Sequence, residues 1–186
     1  MSQPPAYTPV GAGMPDILDA FYGFLSTYLV RYVPAENIIR GWENRYALPS
    51  GTNDYIIYTL SGSSRVGTNA LSEVSADGTM TFSTLFEGTI QIDFCSDTEA
   101  SRMWAAYCDS LLRSPVGPAF FAPYGFSSTY ADNPVSVEYA DGSDQYVKRT
   151  TLTVHVCYTL TSTVALEYAE RVRLSRLENV DAHHKP

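Results

Sequence analysis

Two long runs of alternating apolar and polar residues predict the main strands of this chain. Residues 148–160 alternate most clearly, and a period of two is typical of a strand with one buried face. The apolar side comprises Leu152, Val154, Val156 and Tyr158, and the polar side Thr151, Thr153, His155 and Cys157. Residues 79–95 predict a second long strand, in which Ile90, Ile92 and Phe94 share one face. Gly88, inside that run, predicts a β-bulge.

Apolar residues at three- and four-residue spacing predict two helices. The first begins at Pro15-Asp16 and ends at Pro34, because proline disfavours the helical conformation in the residue before it. Its apolar face comprises Ile17, Phe21, Phe24, Leu25, Tyr28 and Tyr32. The second begins at Ser96 and Glu99, which stand at capping-box spacing, and ends at Pro115 and Pro118. Its apolar face comprises Ala100, Met103, Trp104, Tyr107 and Leu111.

Shorter elements and breaks complete the pattern. Extended segments are predicted at residues 38–42, 54–60 and 135–138, within an otherwise irregular stretch over residues 115–147. Turns are predicted at residues 48–51, Asp77-Gly78 and Asp141-Gly142. Residues 61–80 are small and polar, which predicts a long loop or an irregular hairpin. Residues 170–181 alternate only loosely, so that a strand leaving the body of the subunit and a short helix both fit.

The order of elements predicts the α+β class, with a mostly antiparallel sheet and two helices packed on one face. The 186 residues suit one domain. We expect that domain over residues 16–160, flanked by two arms. Residues 1–15, with four prolines and no periodicity, predict an extended N-terminal arm rather than a packed element. Residues 161–186 predict a C-terminal arm with a disordered tip.

Composition limits the classes of function that the chain could have. Twelve basic residues against 20 acidic ones give a net charge of −8, which argues against a surface that binds phosphates but leaves open a role beside DNA that slides past. Fourteen tyrosines suit surfaces buried in partners, although a large core or a tyrosine-rich sheet also accounts for them. Neither a transmembrane run nor a signal peptide is expected. Cys95, Cys108 and Cys157 are expected as buried thiols of a protein made in a reducing cytosol.

Candidate chemistry is sparse. His155 and Cys157 would share one strand face, but a nucleophilic dyad also needs an orienting group and an oxyanion hole, and neither has a signature in the sequence. His183 and His184 lie in the C-terminal tail. Asp16 and Asp19 are expected as complements of a helix dipole. The sequence therefore predicts a protein that is not an enzyme and has no catalytic, metal or cofactor site.

Several stretches, taken in order, resemble the phage neck terminator family. They are residues 39–59, from Ile39-Arg-Gly-Trp to Ile-Tyr-Thr59; Arg65-Val-Gly-Thr-Asn69; Gln91-Ile-Asp-Phe-Cys95 with the helix of Trp104; Tyr130-Ala-Asp-Asn-Pro134; and residues 145–152. The resemblance covers roughly residues 15–181. It implies a tail-terminator-like fold and a structural ring, usually sixfold, between the portal-side connector and the tail tube or gateway protein of a tailed bacteriophage virion.

Two surfaces are predicted to contact partners. In the polar loop, Arg65, Thr68 and Asn69 are expected to touch a neighbouring subunit or to line the channel. In the C-terminal arm, Arg171, Arg173 and Arg176 are expected to meet acidic groups of an adjacent connector or subunit. A monomeric adaptor or capsid decoration protein is the structural alternative, and a small hydrolase using Cys157 and His155 is the enzymatic one. The predicted core joins Leu152, Val154 and Val156 to Trp104, Met103 and Phe21.

Overall fold

The computed structural model describes residues 7–13, 15–41, 49, 53–72, 74–76, 78–140 and 146–166. The strands are β1 (Tyr7–Gly13), β2 (Ile38–Arg40), β3 (Tyr55–Arg65), β4 (Ala70–Leu71), β5 (Thr79–Ser96), β6 (Phe126–Ala131), β7 (Val135–Ala140) and β8 (Tyr146–Leu166). The helices are α1 (Ile17–Tyr28), α2 (Ala100–Arg113) and α3 (Val116–Phe121), with 3₁₀ turns at Ala35–Asn37 and Ala122–Tyr124. None of these described helices is long enough to cross a membrane.

One sheet organises the fold, with strand order β1-β8-β5-β3-β2. All pairings are antiparallel except that of β2 with β3. Strand β8 has 21 residues, and one of its edges pairs with the whole length of β5. Its other edge pairs successively with β7, β6 and β1. The α+β class and the mostly antiparallel sheet are therefore confirmed.

The core lies between one face of this sheet and the helices. Ile90, Ile92 and Phe94 of β5 are fully buried there, and the other fully buried large side chains are Phe21, Phe24, Leu25, Leu29, Val33, Ile56, Phe121, Val147 and Leu152. All except Val147 belong to a single hydrophobic cluster shared with α1, α2 and α3. The predicted core face of residues 152–156 is confirmed, since Leu152, Val154 and Val156 are each 0% exposed.

Helix α1 begins as predicted and ends earlier. Asp16 is the N-cap, and its carboxylate accepts a hydrogen bond from the Asp19 backbone N–H at 3.1 Å. The helix stops at Tyr28, and a turn with hydrogen bonds to the Leu29 carbonyl precedes Pro34. Tyr32 therefore lies outside the helix, where its ring meets Tyr107 edge-on at 5.8 Å between centroids.

Helix α2 presents part of the predicted stripe to the core. Trp104 is buried, and Ala100 and Leu111 pack against the core cluster, whereas Met103 and Tyr107 are exposed. Its buried residues are Ser101, Trp104, Ala105, Cys108 and Leu112. Met103 is 53% exposed, so its predicted place in the core is wrong.

The predicted capping box is also wrong. Ser96 belongs to β5, and its hydroxyl donates to the Asp54 carboxylate at 2.7 Å, while Glu99 is the N-cap. The pairing of β5 with β8 extends to Ser96, and this holds the residue in the sheet.

A third helix, α3, follows where Pro115 and Pro118 were expected only to end α2. Pro115 is its N-cap, and Pro118 falls within its first turn, where backbone N–H groups have no partner inside the helix. Phe121, the last residue of α3, packs against α1, and its ring stacks on that of Phe21 with 4.8 Å between the centroids. Strand β6 adds further regular structure to the stretch expected to be irregular, and β7 confirms the strand predicted near residues 135–138.

The predicted bulge at Gly88 is wrong. Strand β5 pairs with β8 without a shift, and the irregularity lies opposite, in β3 between Leu60 and Gly62. A side chain at Gly88 would instead meet Tyr158 and Val156 at 3.2 Å each, so this glycine permits close packing.

The polar stretch over residues 61–80 is an irregular hairpin rather than a loop, because β3 continues to Arg65 and β4 pairs with β5. Gly78, in the predicted turn, has a φ of +78°. The turns predicted at 48–51 and 141–142, and the segment 170–181, lie outside the described residues apart from Pro49.

Candidate assembly surface

Strands β5 and β8 continue beyond the buried core and form what we call the sheet extension. It comprises residues 79–85 of β5 and 159–166 of β8, with β1 and β4 along its edges. The main hydrophobic cluster reaches Phe86 and Tyr158 and contains no residue from 79–85 or 159–165. The two stretches expected as arms meet here, because Tyr7–Gly13 pairs with residues 161–166.

The sheet extension carries no charge. None of residues 7–13, 70–71, 79–85 and 159–166 is acidic or basic, although 17% of the whole chain is charged. Exposed edge strands usually carry charged residues that prevent pairing with other chains, and interface cores are depleted in charge. An uncharged sheet in an acidic chain is therefore typical of a surface that a partner covers.

One face of the extension carries most of its large apolar side chains, together with Thr84 and Ser162, and continues the face that the helices cover nearer the body. Side chains alternate along the unshifted β5–β8 ladder, so that even-numbered residues of both strands lie on the side of Ile90. We call five of the residues on this side the apolar platform: Leu71, Met80, Phe82, Leu160 and Val164. Leu71, opposite Phe82, is 63% exposed, and the other four are half-buried.

The opposite face of the sheet is rich in threonine, apart from a small buried cluster of Ile39, Tyr55, Cys95 and Val147. On this face, nearer the body than the extension, His155 lies between two carboxylates, with Nδ1 3.0 Å from Glu87 and Nε2 3.4 Å from Asp132. The ring of Tyr130 stacks on the imidazole at 4.1 Å, and partial desolvation together with the two carboxylates raises the pKa of this tyrosine. Both ring nitrogens of His155 thus face carboxylates rather than Cys157, its partner in the hydrolase alternative.

The same face holds a second ion pair. The Arg149 guanidinium lies 2.8 Å from Asp93, whose carboxylate also accepts hydrogen bonds from Thr151 at 2.7 Å and Gln91 at 2.9 Å. Arg149 and His155, the basic side chains that the described part of the chain places on this face, are therefore each held against carboxylates. Within the described ranges no group of three His, Cys, Asp or Glu side chains is arranged to hold a metal ion.

The predicted contact residues of the polar loop lie beside the platform. Arg65 donates from Nε to the Gly67 carbonyl at 2.6 Å and from Nη2 to the side-chain oxygen of Asn69. Asn69 also accepts a hydrogen bond from Thr84 at 2.6 Å, which ties the loop to β5. Thr68 is exposed between them. Contact of these residues with a neighbour stays a prediction.

The remaining predicted contact residues, Arg171, Arg173 and Arg176, lie outside the described residues. The sheet extension itself was missed from the sequence, although a signal was available: the stretches 79–86 and 158–166 are long runs without a charged residue.

Comparison with known proteins gives one finding. No curated protein matches the sequence. A family model described as phage neck terminator protein matches residues 16–181, which include α1, the whole β5–β8 ladder and the helices that cover it. Since that match spans nearly the whole chain, the protein belongs to the phage neck terminator protein family, and its role is a structural one in the bacteriophage neck.

Proposed function

We propose that the chain is a subunit of a ring, usually sixfold, that joins the portal-side connector of a phage head to the tail tube or gateway protein and lets DNA pass. The observation that carries this proposal is the family match over residues 16–181. The ring is a component of the virion, and its subunits are made in the cytoplasm of the host bacterium. It requires neither catalysis nor a cofactor.

Ring formation is supported by the sheet extension. A closed ring needs a contact in which one surface of a subunit meets a different surface of the next. The extension supplies one such surface, because it has an apolar face, no charged residue and an edge strand, β1, that ends the sheet. Backbone groups of an open edge and apolar side chains beside it are the usual means by which strands join subunits.

The passage of DNA is supported by charge. With a net charge of −8, the chain repels a phosphate backbone more than it attracts one. The polar face of the sheet carries Glu87, Asp93 and Asp132, and its basic side chains lie against those acids. Such a face would present no unpaired cation to DNA, which suits the wall of a channel through which a polyanion slides.

The contacts with neighbours are assigned to three segments, which are the polar stretch at the root of the extension and the two terminal segments. Arg65, Thr68 and Asn69, at the root of the extension, are proposed to meet an adjacent subunit or the channel. Residues 1–15 and 161–186 are proposed as linking arms, and Arg171, Arg173 and Arg176 in the second arm as partners of acidic groups on a connector or subunit. Arginine suits this role because its guanidinium binds a carboxylate through two parallel hydrogen bonds.

A phage carrying a nonsense mutation in this chain's coding sequence tests the proposal. We expect DNA-filled heads and free tails to accumulate separately, and supply of the wild-type chain to restore infectious particles. Cryo-electron microscopy of the restored particles should place the chain at the neck with rotational symmetry. Normal particles from the mutant, or density for the chain distributed over the capsid lattice, would overturn the proposal, and the second result would favour a decoration protein.

A further inference from the structure

We propose that the apolar platform of one subunit is the binding site for residues 170–181 of an adjacent copy. This inference rests on the proposed ring and specifies the contact within it. The platform is the set Leu71, Met80, Phe82, Leu160 and Val164, and the occupant is the segment that follows β8 in the neighbouring chain.

The platform is an apolar sheet face without a helix layer. Nearer the body, the same face is covered by α1, α2 and α3, and its residues Ile90, Leu152 and Val154 are fully buried. Beyond Phe86 and Tyr158 the apolar character continues while the burial falls. A sheet with an apolar face is stable when another layer covers that face, and the described residues do not supply this layer for the platform.

The course of the chain points to the occupant. Strand β8 ends at Leu166, two residues after Val164 of the platform, and the 20 residues that follow include Val172, Leu174, Leu177 and Val180. Strand β1 also begins at this end, but residues 1–6 contain two prolines and only Met1 and Ala6 as apolar residues. The C-terminal segment is therefore the terminal stretch whose aliphatic side chains suit the platform.

The direction of β8 favours a neighbouring platform over the subunit's own. At Leu166 the strand is still paired with Tyr7 and runs towards the end of the extension, away from the helices. Covering its own platform would require a sharp reversal directly after Leu166. Residues 167–174 read Glu-Tyr-Ala-Glu-Arg-Val-Arg-Leu and contain no Gly, Pro, Asn, Asp or Ser, which are the residues that favour tight turns.

The basic residues of the segment fit the same contact. Arg171 and Arg173 alternate with Val172 and Leu174, so that an extended segment presents aliphatic side chains on one side and guanidinium groups on the other. The uncharged platform accepts the aliphatic side. The basic side then faces away from the platform, and the net charge of −8 on each copy of the chain favours the approach of such a segment.

Cysteine cross-linking of the purified full-length chain tests the inference. Cys157 is replaced by serine, while Cys95 and Cys108 remain buried, and Phe82→Cys and Leu174→Cys are introduced together. After mild oxidation, we expect a ladder of covalent multimers on a denaturing, non-reducing gel. Each single variant alone should give no ladder, and a mixture of the two should give covalent dimers.

The matched control is Leu85→Cys combined with Leu174→Cys. Leu85 is 44% exposed and lies three residues from Phe82 on the polar face of the same strand, so we expect far less cross-linking from it. A disulfide formed within one chain, no disulfide at all, or equal yields from Phe82→Cys and Leu85→Cys would each overturn the inference. If the wild-type chain forms rings in these cases, the proposed function stands. A wild-type chain that remains monomeric under the same conditions removes the ring and this contact together.

Discussion

The rings of Phe86 and Tyr158 stack with centroids 5.7 Å apart and an angle of 17° between their planes, on neighbouring strands where the helix-covered sheet gives way to the extension. The phenol oxygen of Tyr158 lies 2.6 Å from the Ser63 hydroxyl, across the strand that carries Gly88. This pair of aromatic residues thus connects all three central strands at the root of the extension, and the absence of a side chain at Gly88 makes room for it.

A side chain at position 88 should disrupt this root. In Gly88→Val, the Cβ atom alone would lie 3.2 Å from both Tyr158 and Val156, so we expect a loss of about 1–3 kcal/mol in the free energy of unfolding. Gly62→Val is the matched control in the neighbouring strand, because nothing lies within 4 Å of a Cβ atom there. Urea denaturation of both variants measures the effect, and equal stabilities would contradict the packing argument.

Burial of the β8 face predicts a second difference in stability. Leu152→Ala removes a fully buried side chain and should cost about 2–5 kcal/mol. Leu85→Ala, on the polar face of β5, should cost much less because Leu85 is 44% exposed. Thermal denaturation compares the two variants. An unchanged melting temperature for Leu152→Ala would show that the face is wrongly assigned.

The strands were more predictable from the sequence than the helix stripes, and the reason is geometric. In β8, each step along the strand reverses the side, so the run from Leu152 to Tyr158 identifies the buried face without ambiguity. In α2, Met103 and Trp104 are neighbours around the helix, and a shift of one residue moves the stripe by about 100°. Small residues such as Ser101 and Ala105 carry little hydrophobic signal, yet the structure buries them.

The assembly surface was less predictable, because the hydrogen-bond partners of its residues depend on how the strands pair in three dimensions. The sequence indicates that Arg65 and Asn69 are polar residues of a long hairpin. Their bonds to each other and to Thr84 depend on the register of β3 and β4 against β5, which composition does not reveal. The platform likewise exists only because β5 and β8 are longer than the helix layer that covers them.

The Cys108 thiol predicts a pH dependence of stability. Burial, with a smaller contribution from the Asp109 charge, raises the pKa of this thiol far above its ordinary range, so the folded chain keeps it protonated. The unfolded chain loses that proton above about pH 8.5, so the unfolded state binds fewer protons there and the free energy of unfolding falls as pH rises. Below about pH 8.5 the stabilising contribution is fully present.

Urea denaturation at neutral pH and near pH 10 measures this effect. We expect the wild-type chain to lose up to about 2 kcal/mol more than Cys108→Ala over this interval. The alanine variant is less stable at both values because of the cavity it leaves, but the comparison of slopes removes that constant difference. Equal slopes for the two proteins would show that the thiol is ionised in the folded chain or does not contribute.

The hydrogen bonds of Arg65 predict a variant that folds but assembles poorly. Arg65 is exposed, and the two hydrogen bonds described above join it to Gly67 and Asn69 in the same stretch of chain. Arg65→Ala should therefore change the free energy of unfolding by less than about 1 kcal/mol. We expect the yield of infectious particles to fall, because the loop beside the platform loses its shape and its cation. Arg102→Ala, an exposed arginine of α2 beside Glu99, is the control. Equal yields from both variants would remove the loop's proposed role.

Removal of residues 170–186 separates folding from assembly. All described strands end by Leu166, and the buried core ends at Tyr158, so the shortened chain should keep the free energy of unfolding of the full-length chain within about 0.5 kcal/mol. The same deletion removes Val172, Leu174 and all three arginines of the C-terminal arm. We therefore expect the shortened chain to be unable to attach tails to filled heads in a complementation assay.

Replacement of residues 182–186 alone is the matched control, because it retains the aliphatic and basic positions. Normal joining of heads and tails by the shortened chain would contradict the proposed role, whereas loss of folding would show that the segment belongs to the core.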